Sequence, residues 1–235
     1  NHCLRLLADE MIAYQIIRSN RKTVCIQLTR EGEVLVRAPR RCARSYIDQF
    51  VRSKASWIAS HQVRLREQRA QANAFVLQDG QRLSYCGKDI WVTVLPEHRP
   101  ELMDNRLILP TGDMDTVREP LRRLTWAAGL PWLRERLAGW EATMGIDCAQ
   151  LKMSAARQRW GSCTQGGVIR ISGYLLFAPQ EAIDYVLIHE LAHRRHFDHS
   201  RAFWQLVQEY CPDYQAQRRA LLQYQQEPFL QSLAK

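Results

Sequence analysis

The chain has 235 residues, 46% of them hydrophobic and 24% charged, an ordinary globular composition with enough length to bury a core without staples. It has no run of about 18 apolar residues, which excludes a membrane-spanning helix. Its seven cysteines (Cys3, Cys25, Cys42, Cys86, Cys148, Cys163, Cys211) form no Cys-x-x-Cys pair, which argues against a zinc ribbon, a dithiol redox motif and a disulfide framework. The formal net charge of +9 attracts polyanions, nucleic acid and phosphate-bearing substrates among them, and is equally compatible with a solvated basic surface carrying Arg64, Arg66 and Arg69.

Residues 1–10 lack the apolar stretch and small-residue cleavage site of a secretory signal, Met11 is a candidate alternative start, and a reducing cytoplasm is the expected compartment. Three short strands follow: Tyr14-Gln15-Ile16-Ile17, a second over residues 23–28 and a third over 33–37, entered through Glu31-Gly32 and closed by Pro39 as a meander. A polar, arginine-rich helix is predicted over residues 43–70. Ile47, Phe50, Val51, Lys54, Trp57 and Ile58 fall at helical spacing along one stripe. A second strand group spans about 74–109, with turns at Asp79-Gly80, Gly87-Lys88 and Asp104-Asn105. A long helix is predicted over 116–144. Pro120 is tolerated in its first turns, and Pro131 is expected to kink or divide it. Residues 153–214 are predicted to hold a hairpin around Gly166-Gly167 and then three helices. The expected architecture is α+β, with an N-terminal β-rich module over 1–112 and a catalytic domain over 113–235.

Four of the seven histidines lie between His189 and His199. In His189-Glu190-Leu191-Ala192-His193 the two imidazoles are four residues apart, one turn of a helix, so both can reach one ion. Neutral imidazole is a good zinc ligand. Glu190 leaves the helix in a different direction and can act as general base on a water beside the metal. Pro179-Gln180-Glu181 suits a first helical turn. Ile183, Val186, Leu187, Ile188 and Leu191 then cover most of the circumference, so the helix is expected to be buried. Imidazoles and a carboxylate there would be costly unless satisfied, and a metal satisfies them. His199 stands before Ser200, the expected N-cap of a helix holding Phe203, Leu206 and Val207, and is the preferred third ligand. His196 is taken to continue the helix and point aside. Three ligands leave a fourth position open.

Upstream, Arg157, Arg159 and Arg170 are candidate substrate-binding residues. The strand Val168-Ile169-Arg170-Ile171 is the candidate for pairing with extended substrate. Trp160 is read as a core residue, Gly161 as a turn residue and Cys163 as structural. Tyr174 and Tyr185 are read as core residues with an oxyanion-donor role as the alternative.

Taken together, Arg159-Trp160-Gly161-Ser162-Cys163, the His189–His193 motif, His199-Ser200 with Phe203-Trp204, and Tyr210-Cys211-Pro212-Asp213-Tyr214 resemble the YgjP-like metallopeptidase family, related to the WLM and SprT-type zinc peptidases. The resemblance extends over the N-terminal strands and the Trp57 helix. It implies a zincin-like catalytic domain with zinc on His189, His193 and His199 and with Glu190 as the catalytic base. Arg194 departs from the apolar residue expected after the second histidine.

Three functions compete. The first is a zinc metallopeptidase acting on peptide or protein. The second is a metal-dependent nucleoside triphosphate pyrophosphohydrolase, in which Arg157, Arg159, Arg170, Arg194 and Arg195 neutralise phosphate. The third is a nucleic-acid-binding module with a structural zinc, which leaves Glu190 unexplained and lacks the usual cysteine ligands.

Overall fold

The computed structural model describes residues 12–29 and 31–234; Cys3 and Met11 lie outside them. Strands come first and helices dominate the later part, a mixed α and β chain. Contacts divide it into two compact units, residues 1–71 and 72–235.

In the first unit, β1 (Tyr14–Ser19), β2 (Cys25–Leu28) and β3 (Val34–Pro39) form a sheet in the order β1-β3-β2. This is not the expected meander. β2 and β3 make an antiparallel hairpin, whereas β1 runs parallel to β3 with Tyr14 opposite Val34. β3 takes the centre because Val34, Val36 and Ala38 are all buried along it, the period-2 pattern of a strand with one face in a core. The arginine-rich stretch folds as two helices, α1 (Arg44–Ser53) and α2 (Ala55–Ala74), interrupted at Lys54. Ile47, Val51 and Ile58 complete this core, but Trp57 is 41% exposed and packs on His61 with ring centroids 4.1 Å apart.

The second unit opens with β4 (Arg82–Tyr85), β5 (Lys88–Val94), β6 (Glu101–Met103) and β7 (Arg106–Leu109). Two antiparallel hairpins are joined through the parallel pair β5 and β7, giving the order β4-β5-β7-β6. Leu83, Ile90, Val92, Leu107 and Leu109 share one core with the helices that follow. By contacts the two compact units meet at 71/72.

Helix α3 (Met114–Met144) starts at Asp113, whose carboxylate accepts from the Thr116 N–H at 3.0 Å, and ends at Gly145 in the left-handed region. It runs unbroken through Pro131. The carbonyl that loses its N–H partner belongs to Ala127, which is exposed, so water can satisfy it and the helix is not divided.

A third sheet, β8 (Gln150–Ser154), β9 (Gly161–Cys163) and β10 (Val168–Ser172), has the order β8-β10-β9, with β9 and β10 forming the hairpin expected around Gly166-Gly167. β10 is paired on both sides, so it cannot take an extended substrate as expected; the edge strands are β8 and β9, and β9 is the one that packs on a later helix. A 3-10 turn, Gly173–Phe177, leads to α4 (Gln180–Ala192), α5 (Arg201–Tyr210), α6 (Tyr214–Tyr224) and α7 (Pro228–Leu233). α4 packs against α3, α5, α6 and β9. Asp184 anchors it, accepting from the Arg136 guanidinium at 2.6 and 2.5 Å and from the Trp140 indole at 3.0 Å.

Candidate metal centre

Helix α4 buries Ile183, Val186, Leu187, Ile188 and Leu191 and carries His189 and Glu190 in its last turn, with His193 as the C-cap residue. The helix stops there. His196 lies in the turn beyond it rather than continuing it, and its carbonyl accepts from Nδ1 of His193 at 3.1 Å. That bond fixes the His193 tautomer and leaves Nε2 with its lone pair free. The turn returns the chain so that His199 faces α4, just ahead of Ser200, whose hydroxyl caps α5 by accepting from the Phe203 N–H at 3.5 Å.

One ligand atom from each of His189, His193 and His199 lies within 4.8 Å of the others. Nε2 of His189 and Nε2 of His199 are 3.3 Å apart. Two nitrogens each about 2.05 Å from one tetrahedral ion lie about 3.3 Å apart, whereas an N–H···N hydrogen bond is normally shorter. Phe203, fully buried on α5, is the common platform for all three imidazoles, with ring centroids 4.9, 4.6 and 4.8 Å from His189, His193 and His199. Trp204 stacks on the outer side of His199 at 5.6 Å.

The electrostatics fit a cation. Burial pushes the His189 imidazole down to about 3, with His193, His199 and Arg218 adding to the effect, and burial lowers His193 as well. His189 and His193 are thus held in the neutral form, the form that ligates. Burial pushes Glu190 up to about 8 against the opposing pull of Arg159. Glu190 is 5% exposed, and its Oε2 has no hydrogen-bond partner, nor has Nδ1 of His189. A buried carboxyl without a partner beside neutral nitrogens is completed by positive charge. The donor set of three histidines, with no cysteine, suits zinc in an open site.

Beside these groups lies a cleft of about 270 Å³, lined by His189 and Glu190 and by Arg159, Trp160, Val186 and Arg218 among others. Of the predicted substrate-binding residues only Arg159 reaches it. Arg157 offers its carbonyl to Gln225 at 2.8 Å, and Arg170 sits on the central strand β10. Arg194 and Arg195 turn away: Arg194 donates to the carbonyls of Asp147 and Gln165 at 3.2 and 3.1 Å, and Arg195 to that of Gly145 at 3.2 Å. Arg194 therefore ties the end of α4 to the β9–β10 turn.

Trp160, Gly161 and Arg218 acquire roles not expected from the sequence, and Tyr185 stands where its alternative reading would need it. Trp160 packs on the core and also lines the cleft. Gly161 makes room for the base: a Cβ there would lie 2.5 Å from Oε1 of Glu190. Tyr185 lines the cleft edge-on to His189, whereas Tyr174 packs on Trp126 outside it. Arg218 enters from α6 on one helical face with Leu221, Leu222 and Gln225, at spacings of three, four and seven. That spacing was the available signal.

A family model described as YgjP-like, metallopeptidase domain matches residues 22–224. No curated protein matches. Two solved structures show partial likeness. One is the metallopeptidase zymogen abylysin of Pyrococcus abyssi, 20% identical, with a TM-score of 0.37 over 39% of this chain and 93% of that one. The other is the metallopeptidase zymogen jannalysin of Methanocaldococcus jannaschii, 15% identical, with a TM-score of 0.36 over 39% and 95%. No helix among the described residues is long and apolar enough to cross a membrane. The family match runs from the first sheet to the end of α6 and takes in the three histidines, Glu190, Arg159 and Arg218, so the chain belongs to the YgjP-like metallopeptidase domain family.

Proposed function

We propose that this protein is a zinc metallopeptidase whose zincin-like catalytic domain lies in the second unit and is built around α4. His189, His193 and His199 are the ligands and Glu190 is the general base. The observation that carries this reading is the convergence of three imidazoles on one point, with the buried carboxyl of Glu190, its Oε2 unpartnered, beside them on the cleft wall. Zinc, when bound, supplies Lewis-acid polarisation and lowers the pKa of the attacking water. Glu190 takes the proton of that water and passes it to the leaving amine. β9, the edge strand packed against α4, is the one place in the third sheet where an extended peptide can add alongside Glu190. Tyr185 is the phenol in the cleft that can donate to the developing oxyanion.

A phosphoanhydride substrate has weaker support, because four of the five arginines that would neutralise phosphate are absent from the cleft lining. A structural zinc leaves Glu190 without a role.

The test is metal analysis and turnover of a peptide library, with a nucleoside triphosphate panel alongside, for the wild type and for Glu190→Gln. The variant should keep one zinc per chain and lose peptide hydrolysis by about a hundredfold or more, the scale of a general base. Loss of zinc in Glu190→Gln would make Glu190 a ligand or a support, and hydrolysis confined to the nucleotides would overturn the peptidase reading.

A further inference from the structure

The cleft beside Glu190 has an uneven charge. Its walls are largely apolar, formed by Trp160, Val186, Leu221 and Leu222, and its single carboxyl is Glu190 itself. At its mouth stand two exposed guanidinium groups from different elements: Arg159, just ahead of β9, and Arg218, on α6.

Neither forms an ion pair with a carboxylate among the described residues. Arg82, Arg118, Arg122, Arg123 and Arg136 all do, and Arg194 and Arg195 are held by carbonyls. The Arg218 guanidinium lies over the face of Trp204, with its central carbon 5.9 Å from the ring centroid. A cation over an aromatic face is oriented but keeps its N–H donors free. Trp204 is itself braced between His199 and Tyr214, at 5.6 and 5.0 Å. The head of Arg218 therefore rests on the same aromatic stack that backs the third histidine.

Two donor forks on one concave surface with an apolar wall attract an anion of planar, two-oxygen shape, and the low-dielectric wall focuses their field into the cleft. Glu190 does not use them up: Arg159 pulls on its carboxyl, yet neither guanidinium forms an ion pair with it among the described residues, and its Oε2 remains without a hydrogen bond.

We propose that Arg159 and Arg218 together hold a carboxylate of the substrate, so that the peptides this cleft accepts are those with an acidic group close to the scissile bond. This rests on the peptidase reading and narrows its substrate class. The carboxylate has two possible sources, an acidic side chain within the peptide or a free C-terminus, and the test separates them.

Binding is measured by fluorescence anisotropy on the full chain carrying Glu190→Gln, and cleavage on the wild type. The peptides are acetylated and amidated pairs differing only by Glu or Gln at one site, together with a neutral peptide bearing a free C-terminus. The Glu peptide should bind roughly tenfold more tightly than its Gln partner at low ionic strength, as expected for charge-assisted guanidinium–carboxylate contacts, with the advantage shrinking as salt is added. If the C-terminus is the source, the tenfold preference appears in the neutral free-acid peptide instead. Arg218→Ala and Arg159→Ala should each remove most of the preference with zinc content unchanged. Arg218→Glu should favour a Lys-containing peptide.

Equal binding of the Glu, Gln and free-acid peptides would overturn the proposal, as would a nucleoside triphosphate displacing the acidic peptide from the cleft at lower concentration. Failure of the wild type to cleave any peptide would count against the peptidase reading, whereas cleavage without acidic preference would count against the arginine pair alone.

Discussion

Glu190 is held by exclusion more than by bonding. It sits 5% exposed under β9, and the surface against it is the bare Cα of Gly161. An alanine there would place its methyl 2.5 Å from Oε1, 2.7 Å from Cγ and 2.8 Å from Cδ of Glu190, so the whole carboxyl end would have to move. The φ of Gly161 is not positive, so the need is for space rather than for backbone freedom. Gly161→Ala should therefore keep the fold and the zinc while lowering kcat by roughly a hundredfold, the scale of an ångström's misplacement of a catalytic group. Turnover measured beside metal content decides it, and wild-type kcat in this variant would remove Gly161 from the site. The reading of Gly161 as a turn residue failed because a sequence shows what a glycine permits and not what approaches it. Glu190 and the histidines were legible because their spacing is local, one helical turn and a short loop. Phe203 was legible only as a core position on α5; that three imidazoles rest on it depends on where the turn after His193 leads.

At the scale of elements, α4 is the scaffold of the site, and a polar anchor adds to the apolar core it shares with α3. Asp184, five residues before His189, accepts two bonds from Arg136 and one from Trp140, a bidentate geometry with Asp184 mostly buried. Arg136 is 35% exposed on its side chain, so solvent screening trims the contribution to about 1–2 kcal/mol. Asp184→Ala should lower the melting temperature by roughly 2–8 °C on that basis. A double-mutant cycle with Arg136→Ala should give a coupling of at least about 0.5 kcal/mol. Additive single effects would reduce the pair to a surface contact. The strands and helices themselves were largely legible from period and punctuation, apart from the Lys54 interruption and the continuity of α3 across Pro131. Strand order was not. In both three-stranded sheets the last strand lies in the middle and runs parallel to the first, an arrangement set by which strand buries most apolar surface and not by loop length.

For the whole molecule, the two units have separate cores. Val34, Val36, Ile47, Val51 and Ile58 belong to the first, and the strands β4–β7 share the second with α3 and α4. The buried side chains of β4, β5 and β7 pack with the helices that follow them rather than with the first sheet's core. All three histidines and Glu190 lie in the second unit, so on the proposed ligand set metal binding is linked to the folding of that unit. At a free zinc concentration one hundred times the dissociation constant, the linkage amounts to about 2.7 kcal/mol. Removing the metal with a chelator should therefore speed hydrogen exchange across α4, α5 and β10 by up to about a hundredfold in amides that open with the unit. The amides of β3, in the other core, should exchange at an unchanged rate. Peptide-resolved exchange on the full chain with and without chelator reads both at once. Equal acceleration in β3 and α4 would mean that the two cores unfold as one, and no acceleration in α4 would mean that the three imidazoles do not hold the ion.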